Sequence, residues 1–366
     1  MLQRTLPPAF RAQLIAESHA PQYAVRDPRD LPDGLRTERW RAMCEALDGW
    51  DDLSAARRYR LVLLMHALCL YEPVQRLVPP GSMENDADDP SLADLAYWRA
   101  AARYAFELPN RMAEYGNADM SAFEAIATRA PLAVPAALNA ALKVLVHKAK
   151  TGRPLDELVE WEGRAEAALA HATAQVDEFI AGIMTSRYYR AVGFIPQRRR
   201  DRAAVVRTME LAERHARELK PRTPAQELLY LENLHPVLES RTKEAVWLGD
   251  LDLALERARE VVELDRYDSK TWAELGEIAI RRQDWKLAAE AYVTAAMLGP
   301  PASALARYMA GVCFRELGQK MLAAFFFKDA LELDPLGISP RNAICQLPDA
   351  GVLDALREWN LSNVTL

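Results

Sequence analysis

A set of small, aromatic and proline positions recurs along the last third of the chain, and that recurrence limits the fold more than any other feature. Trp272, Leu275, Gly276, Ala279, Ala288, Tyr292, Ala295 and Pro300 form one copy. At a spacing of 35, Ala310, Gly311, Phe314, Ala323, Phe327, Ala330 and Pro335 form the next, with Gly318 between its halves. A weaker copy at a spacing of 34 precedes them, with Ala245, Gly249, Ala254, Ala258 and Leu264, and Arg266 where the others have proline. Gly276 and Gly311, opposite Ala288 and Ala323, let two antiparallel helices approach where a larger side chain would hold them apart. Tyr292 and Phe327 are expected to fill the space between successive repeats. Pro300 and Pro335 are expected to end the second helix of each pair, since proline lacks the N–H that continuation requires. One such pair cannot bury both faces, so the unit is stable only when stacked.

These residues resemble the tetratricopeptide repeat (TPR) family, whose consensus has Trp, Leu, Gly, Tyr, Ala, Phe, Ala and Pro at these offsets. The resemblance is confined to the C-terminal third. It departs from the consensus at Ala279, where Tyr is usual, and at Arg307, which stands at the Trp position. It implies an all-α fold, a TPR-like antiparallel helix-pair solenoid with an N-terminal helical block. It also implies that the first helix of each pair lines a concave face for a peptide or partner helix. Carried over by position, that face has Lys243, Val246 and Trp247, then Lys270, Glu277, Ile280 and Arg281, then Tyr308, Arg315 and Glu316. Cations among aromatic anchors suit an extended or helical acidic peptide. Packing of Trp247 and Tyr308 against neighbouring helices is the competing reading. The asparagines with which some members clamp a terminal carboxylate are replaced by Glu274 and Met309 at one position and by Glu277 and Val312 at the other.

Upstream, the spacing predicts a Pro-rich segment over 1–36, a helical block over 37–220, the array over 221–340, and a capping helix with a tail over 341–366, the helix itself at Asp349 to Trp359. Leu61, Leu64, Leu68 and Tyr71 recur at threes and fours on one helix face. Further helices are expected over 91–107, 121–130, 135–150, 155–190, 202–220 and 224–248. The acidic run Glu84 to Asp89 reads as a solvated loop without calcium-loop spacing.

One local composition stands apart. Between Arg187 and Arg207 there are seven arginines, interleaved with Tyr188, Tyr189 and Phe194, in a chain whose net charge is −6. Gly193 and Pro196 predict a loop there. Arg187, Arg190, Arg198, Arg199, Arg200 and Arg202 are the candidate anion site, because guanidinium forks pair bidentately with phosphate and carboxylate. The alternative is a solvated corner whose arginines pair with nearby acids.

Composition sets the remaining bounds. The acidic balance argues against nucleic acid as partner. No apolar run approaches membrane-spanning length, and Met1 to Pro8 has no signal-like apolar core, so a cytoplasmic location is expected. Cys44, Cys69, Cys313 and Cys345 form no C-x-x-C pair and read as buried thiols, with no metal and no cofactor implied. No phosphate loop, nucleophile elbow or H-E-x-x-H occurs, and the six histidines lie on separate elements, so no catalytic residue is assigned. The expected function is a protein- or peptide-binding adaptor or scaffold, its N-terminal block supplying a second contact or a homo-oligomer surface. The rivals are a peptide-responsive sensor, and a helical enzyme or accessory subunit of a biosynthetic enzyme acting on an anion near Arg187 to Arg202.

Overall fold

The computed structural model describes residues 27–67, 70–78, 95–104, 118–128, 134–299, 303–334 and 337–347, and among these there is helix and no strand. The chain forms two compact units whose boundary falls between Glu244 and Ala245.

The first unit opens on two short 3₁₀ turns, Pro28–Asp30 and Asp33–Leu35. Its helices are α1 (Glu38–Asp48), α2 (Ala55–Ala67), α3 (Tyr71–Leu77), α4 (95–104), α5 (Ser121–Thr128), α6 (Val134–Lys150), α7 (Leu155–Thr173), α8 (Glu178–Val192), α9 (Phe194–Arg198), α10 (Arg202–Arg217) and α11 (Pro224–Leu248). One apolar cluster runs from Leu31 through Trp40, Met65, Trp98, Phe123 and Leu145 to Ile195. Consecutive helices pack together along α5, α6, α7 and α8, and α10 packs on α8.

Three expectations are corrected here. The face running from Leu61 to Tyr71 does not lie on one helix: Tyr71 opens α3, and Leu70 before it has non-helical backbone angles (φ −92, ψ 81). The helix expected over 155–190 is two. α7 ends at Thr173, and α8 starts anew where the Asp177 side chain accepts from the Ile180 N–H at 2.9 Å. An aspartate that takes an orphan N–H ends one register and begins another. The loop expected at Gly193 and Pro196 is instead the short helix α9, with Pro196 at its third position. A first-turn proline gives up no helical bond, because N–H groups there have no intrahelical acceptor.

The second unit continues from the end of α11 through α12 (Leu251–Leu264), α13 (Ser269–Arg281), α14 (Trp285–Leu298), α15 (Ser303–Glu316), α16 (Lys320–Leu333) and α17 (Ile338–Cys345). From α12 onward each helix packs on its neighbours in sequence, and α13 also meets α15, so first helices of successive pairs touch. Asp250, Asp268 and Asp284 cap α12, α13 and α14, accepting from backbone N–H groups at 2.9, 3.0 and 3.1 Å.

Repeat chemistry is visible in the turns and crossings. Before α12, α14 and α16 the chain passes through a left-handed residue: Gly249 (φ 85), Gln283 (φ 60) and Gly318 (φ 75). They hold one repeat position, and the middle copy sets glutamine where its neighbours have glycine. A Cβ on Gly276 would lie 2.7 Å from Tyr292 Cε2, and one on Gly311 would lie 2.5 Å from Phe327 Cδ1 and Cε1. The rings therefore do more than fill space between repeats, since each sits on the glycine of its own pair. From there the Tyr292 cluster continues to Ala306, Ala310 and Cys313 of α15.

Pro300 and Pro335 lie outside the described residues, and the observed ends are Gly299 at φ 89 and Asp334. The capping helix expected at Asp349 to Trp359 also lies outside them. Within the described residues α17 packs on α16, and Ala343, Ile344 and Leu347 join Phe327 and Leu331 in one apolar cluster. Cys44 and Cys313 are buried as expected; Cys345, at the end of α17, is exposed instead, and Cys69 is outside the described residues.

Candidate functional site

Two surfaces follow from this scaffold, one in each unit. In the second, every charged residue of α13 and α15 is at least partly exposed, while Leu275, Ile278 and several alanines are buried. Ala279, Ala306 and Ala310 have no exposure, whereas Glu277 and Arg281 are exposed on the same helix as Ala279. Lys270 is half-buried in the first turn of α13, and Arg315 half-buried in the last turn of α15. Arg281 donates to Glu277 Oε1 at 2.7 Å across one helical turn, and Arg315 lies 3.2 Å from Glu316 Oε1. Tyr308 is half-buried, its ring 5.8 Å from that of Phe327, so much of it belongs to the packing of α15 on α16. Trp247 is half-buried near the end of α11, while Lys243 is exposed on the same helix at the edge of the first unit. Trp272 anchors the repeat instead of lining a surface: its Nε1–H donates to Arg266 O at 2.8 Å, and it packs between two apolar clusters.

In the first unit the arginine-rich corner divides. Arg198 donates to Ala149 O at 2.9 Å and to Arg153 O at 3.2 Å, so its guanidinium ties down the chain at the C-terminal end of α6. Arg199 and Arg200 are exposed, the latter left-handed at φ 58, and Arg202 is exposed at the first position of α10. The aromatics of the motif are occupied in packing. Tyr189 stacks on His215 (5.6 Å, 5° between planes), and Lys150 lies 5.8 Å from the Phe194 ring.

Arg187 and Arg190, one turn apart on α8, face inward. Arg187 is 9% exposed, and its Nε donates to Asn233 Oδ1 of α11 at 3.3 Å. Burial lowers the Arg187 guanidinium to about 10, opposed by the Glu232 carboxylate and reinforced by Arg190. Burial likewise lowers Arg190, opposed by Glu239. Around them Glu232, Asn233 and His235 of α11 are each 1% exposed. Arg187 Nη2, Arg190 Nε, Asn233 Nδ2 and both His235 ring nitrogens are buried without a hydrogen bond. Sequence reasoning reached the two arginines and missed Glu232 and Asn233. The signal present was a polar pair set between Leu231 and Leu234, where a core-facing stripe would otherwise continue.

The described helices define an all-α protein whose second unit is an array of consecutively packed helix pairs. No protein-family model matches the sequence, and no curated protein does. Similar solved structures include YrrB, described as a TPR protein with an unusual peptide-binding site (14% identical, TM-score 0.37, 66% of this chain and 96% of that one). The human IFIT1 dimer with PPP-AAAA is 13% identical at a TM-score of 0.42, over 84% of this chain and 65% of that one. The APC/C hetero-tetramer Cut9–Hcn1 is 13% identical at a TM-score of 0.20, over 84% and 86%. At these identities and TM-scores the likeness says nothing of what this chain binds. Among the described residues no helix is long and apolar enough to cross a membrane.

Proposed function

We propose that the chain is an adaptor whose C-terminal helix-pair array binds a protein or peptide. The observation that carries this reading is the division of labour on α13 and α15. Alanine and glycine are spent on helix contacts, Glu277 and Arg281 are exposed, and Lys270, Tyr308 and Arg315 stay partly exposed. A stacked array of this kind gains little stability from such a row, since exposed pairs like Arg281–Glu277 contribute about 0.3–0.5 kcal/mol. Cations beside a half-buried aromatic are instead suited to an acidic peptide, with the ring as anchor and the charges setting the encounter rate.

The test is selection of peptides from a displayed library on the full chain, followed by titration of the enriched sequences. The reading expects acidic sequences, and at least a tenfold loss of affinity (about 1.4 kcal/mol) on Lys270→Glu/Arg315→Glu. It also expects affinity to fall as salt rises through the screening range. Enrichment of apolar sequences that ignore both the substitutions and the salt would sink it.

A further inference from the structure

The adaptor reading uses the first helices of the pairs, whereas α16, a second helix, carries a surface that reading leaves unexplained. The three repeat copies align through their left-handed turn residues, Gly249, Gln283 and Gly318. Three positions further on stand Asp252, Lys286 and Met321, and seven further on stand Glu256, Glu290 and Phe325; all six are exposed. The first two copies keep a charge at both positions, and the last sets a thioether and a ring there. Met321 is 62% exposed, Phe325 58%, and Leu322 beside them 43%. They stand within about one turn of each other on α16, so the apolar surface is continuous. Phe325 is braced: its ring meets Phe326 edge-on at 5.2 Å, and Phe326 stacks on Phe314 of α15 at 5.3 Å. The cap changes in the same copy. Asp250 and Asp284 cap α12 and α14, whereas Gln319 at the equivalent position makes no side-chain bond to the first turn of α16.

We infer that this face of α16 pairs with the same face of a second copy of the chain, the two helices crossing antiparallel about a two-fold axis between Met321 and Phe325. Such a contact must be complementary to itself. Antiparallel, the thioether of Met321 falls opposite the partner's Phe325 ring and the partner's thioether opposite this ring, a sulfur–aromatic pairing made twice. Charge selects this arrangement over a parallel one. Lys328, Asp329 and Glu332 follow the apolar row toward the C-terminal end of α16. Parallel helices would set each of them against its own copy, like charge against like. Antiparallel helices carry Asp329 and Glu332 toward the N-terminal end of the partner's α16, where uncapped N–H groups and the helix dipole favour an acid. The area fits a second copy too. Roughly 100 Å² from each of the three side chains gives about 600 Å² of apolar surface for the pair of copies. At the roughly 65% apolar share of homodimer interfaces the whole contact is about 900 Å², enough for a weak dimer and too little for an obligate one.

The experiment is sedimentation equilibrium of the full chain from about 1 μM to about 500 μM, the range in which a contact of this size associates, beside thermal melts. A monomer–dimer equilibrium is expected. Met321→Lys/Phe325→Glu, which sets on α16 the side chains that Lys286 and Glu290 present on α14, is expected to weaken it at least tenfold at unchanged Tm. Glu290→Gln, on the equivalent face of α14, is expected to leave it as in wild type. Glu332→Gln is expected to weaken it several-fold; a tighter dimer would mean that the acids face each other, and would overturn the antiparallel pairing. A monomer throughout the range overturns the proposal. A fall in Tm of the double variant would then assign the face to this chain's own residues 348–366, and an unchanged Tm to a different protein. A dimer indifferent to the double variant overturns it equally, since another surface would be in use.

Discussion

Alanine in place of a helical glycine ordinarily stabilises a protein by about 0.5–1 kcal/mol, since glycine loses more backbone entropy on folding. At Gly311 the sign should reverse. The added Cβ would stand 2.5 Å from two ring carbons of Phe327 and 3.2 Å from Ala323 O. Carbon atoms prefer separations of about 3.5–4 Å, so ring or helix must give by roughly 1 Å. Phe327 has no exposure and lies in a cluster with Ala323, Ala324, Leu331 and Ile344, which leaves the ring nowhere to turn. Overpacking of this kind costs about 1–3 kcal/mol. Set against the entropy gain, Gly311→Ala should destabilise by about 1–2 kcal/mol. Urea unfolding followed by helical circular dichroism reads this directly, as a lower midpoint at unchanged slope. Gly163 supplies the contrast: it is exposed within α7, and its Cβ would meet nothing within 4 Å. Gly163→Ala should raise stability by about 0.5–1 kcal/mol. If both substitutions stabilise alike, the close seat of Phe327 on Gly311, and with it the register of the repeats, is wrong.

Three further outcomes are expected. Gln283→Gly should stabilise by about 1 kcal/mol, because Gln283 holds a left-handed backbone (φ 60) that glycine adopts without steric cost; a lower melting temperature would refute this. His66 is buried with its Nε2–H on Trp98 O at 2.9 Å, and burial lowers it to about 4. The unfolded chain takes up this proton near its ordinary value of about 6.5, and the folded chain only near 4. Stability should therefore fall by up to about 3 kcal/mol as pH drops through that window, and His66→Gln should flatten the dependence in a pH series of urea melts. Arg198→Gln should cost about 1 kcal/mol through the lost bonds to Ala149 O and Arg153 O, whereas Arg199→Gln should cost nothing measurable by the same assay.

The array was legible because its determinants are local and periodic. Gly276 with Tyr292 and Gly311 with Phe327 are read at fixed offsets, and the structure places each ring against its glycine. What periodicity hides is where one helical register stops and another begins. The segment 155–190 reads as one helix in sequence, yet the Asp177 cap divides it between α7 and α8. The arginine corner shows the same limit at a site. Composition marked six arginines as equals, and only long-range folding distinguishes them. Arg187 meets Asn233, 46 residues away, and Arg198 meets Ala149, 49 residues away. Nothing at positions 187 and 198 themselves foretells which turns inward.

The nearest-neighbour packing of the second unit has a mechanical consequence. Beyond adjacent helices, α13 with α15 is the one further helix pair with appreciable contact among the described residues of this unit, so tension applied at its C-terminal end meets few contacts far away in sequence. Such an array yields by peeling from the loaded end. Each released pair of about 34 residues adds roughly 110–120 Å of extended chain. Force would thus be met by a series of similar small ruptures instead of one large one, with the buried rings of Phe327 and then Tyr292 giving way in turn.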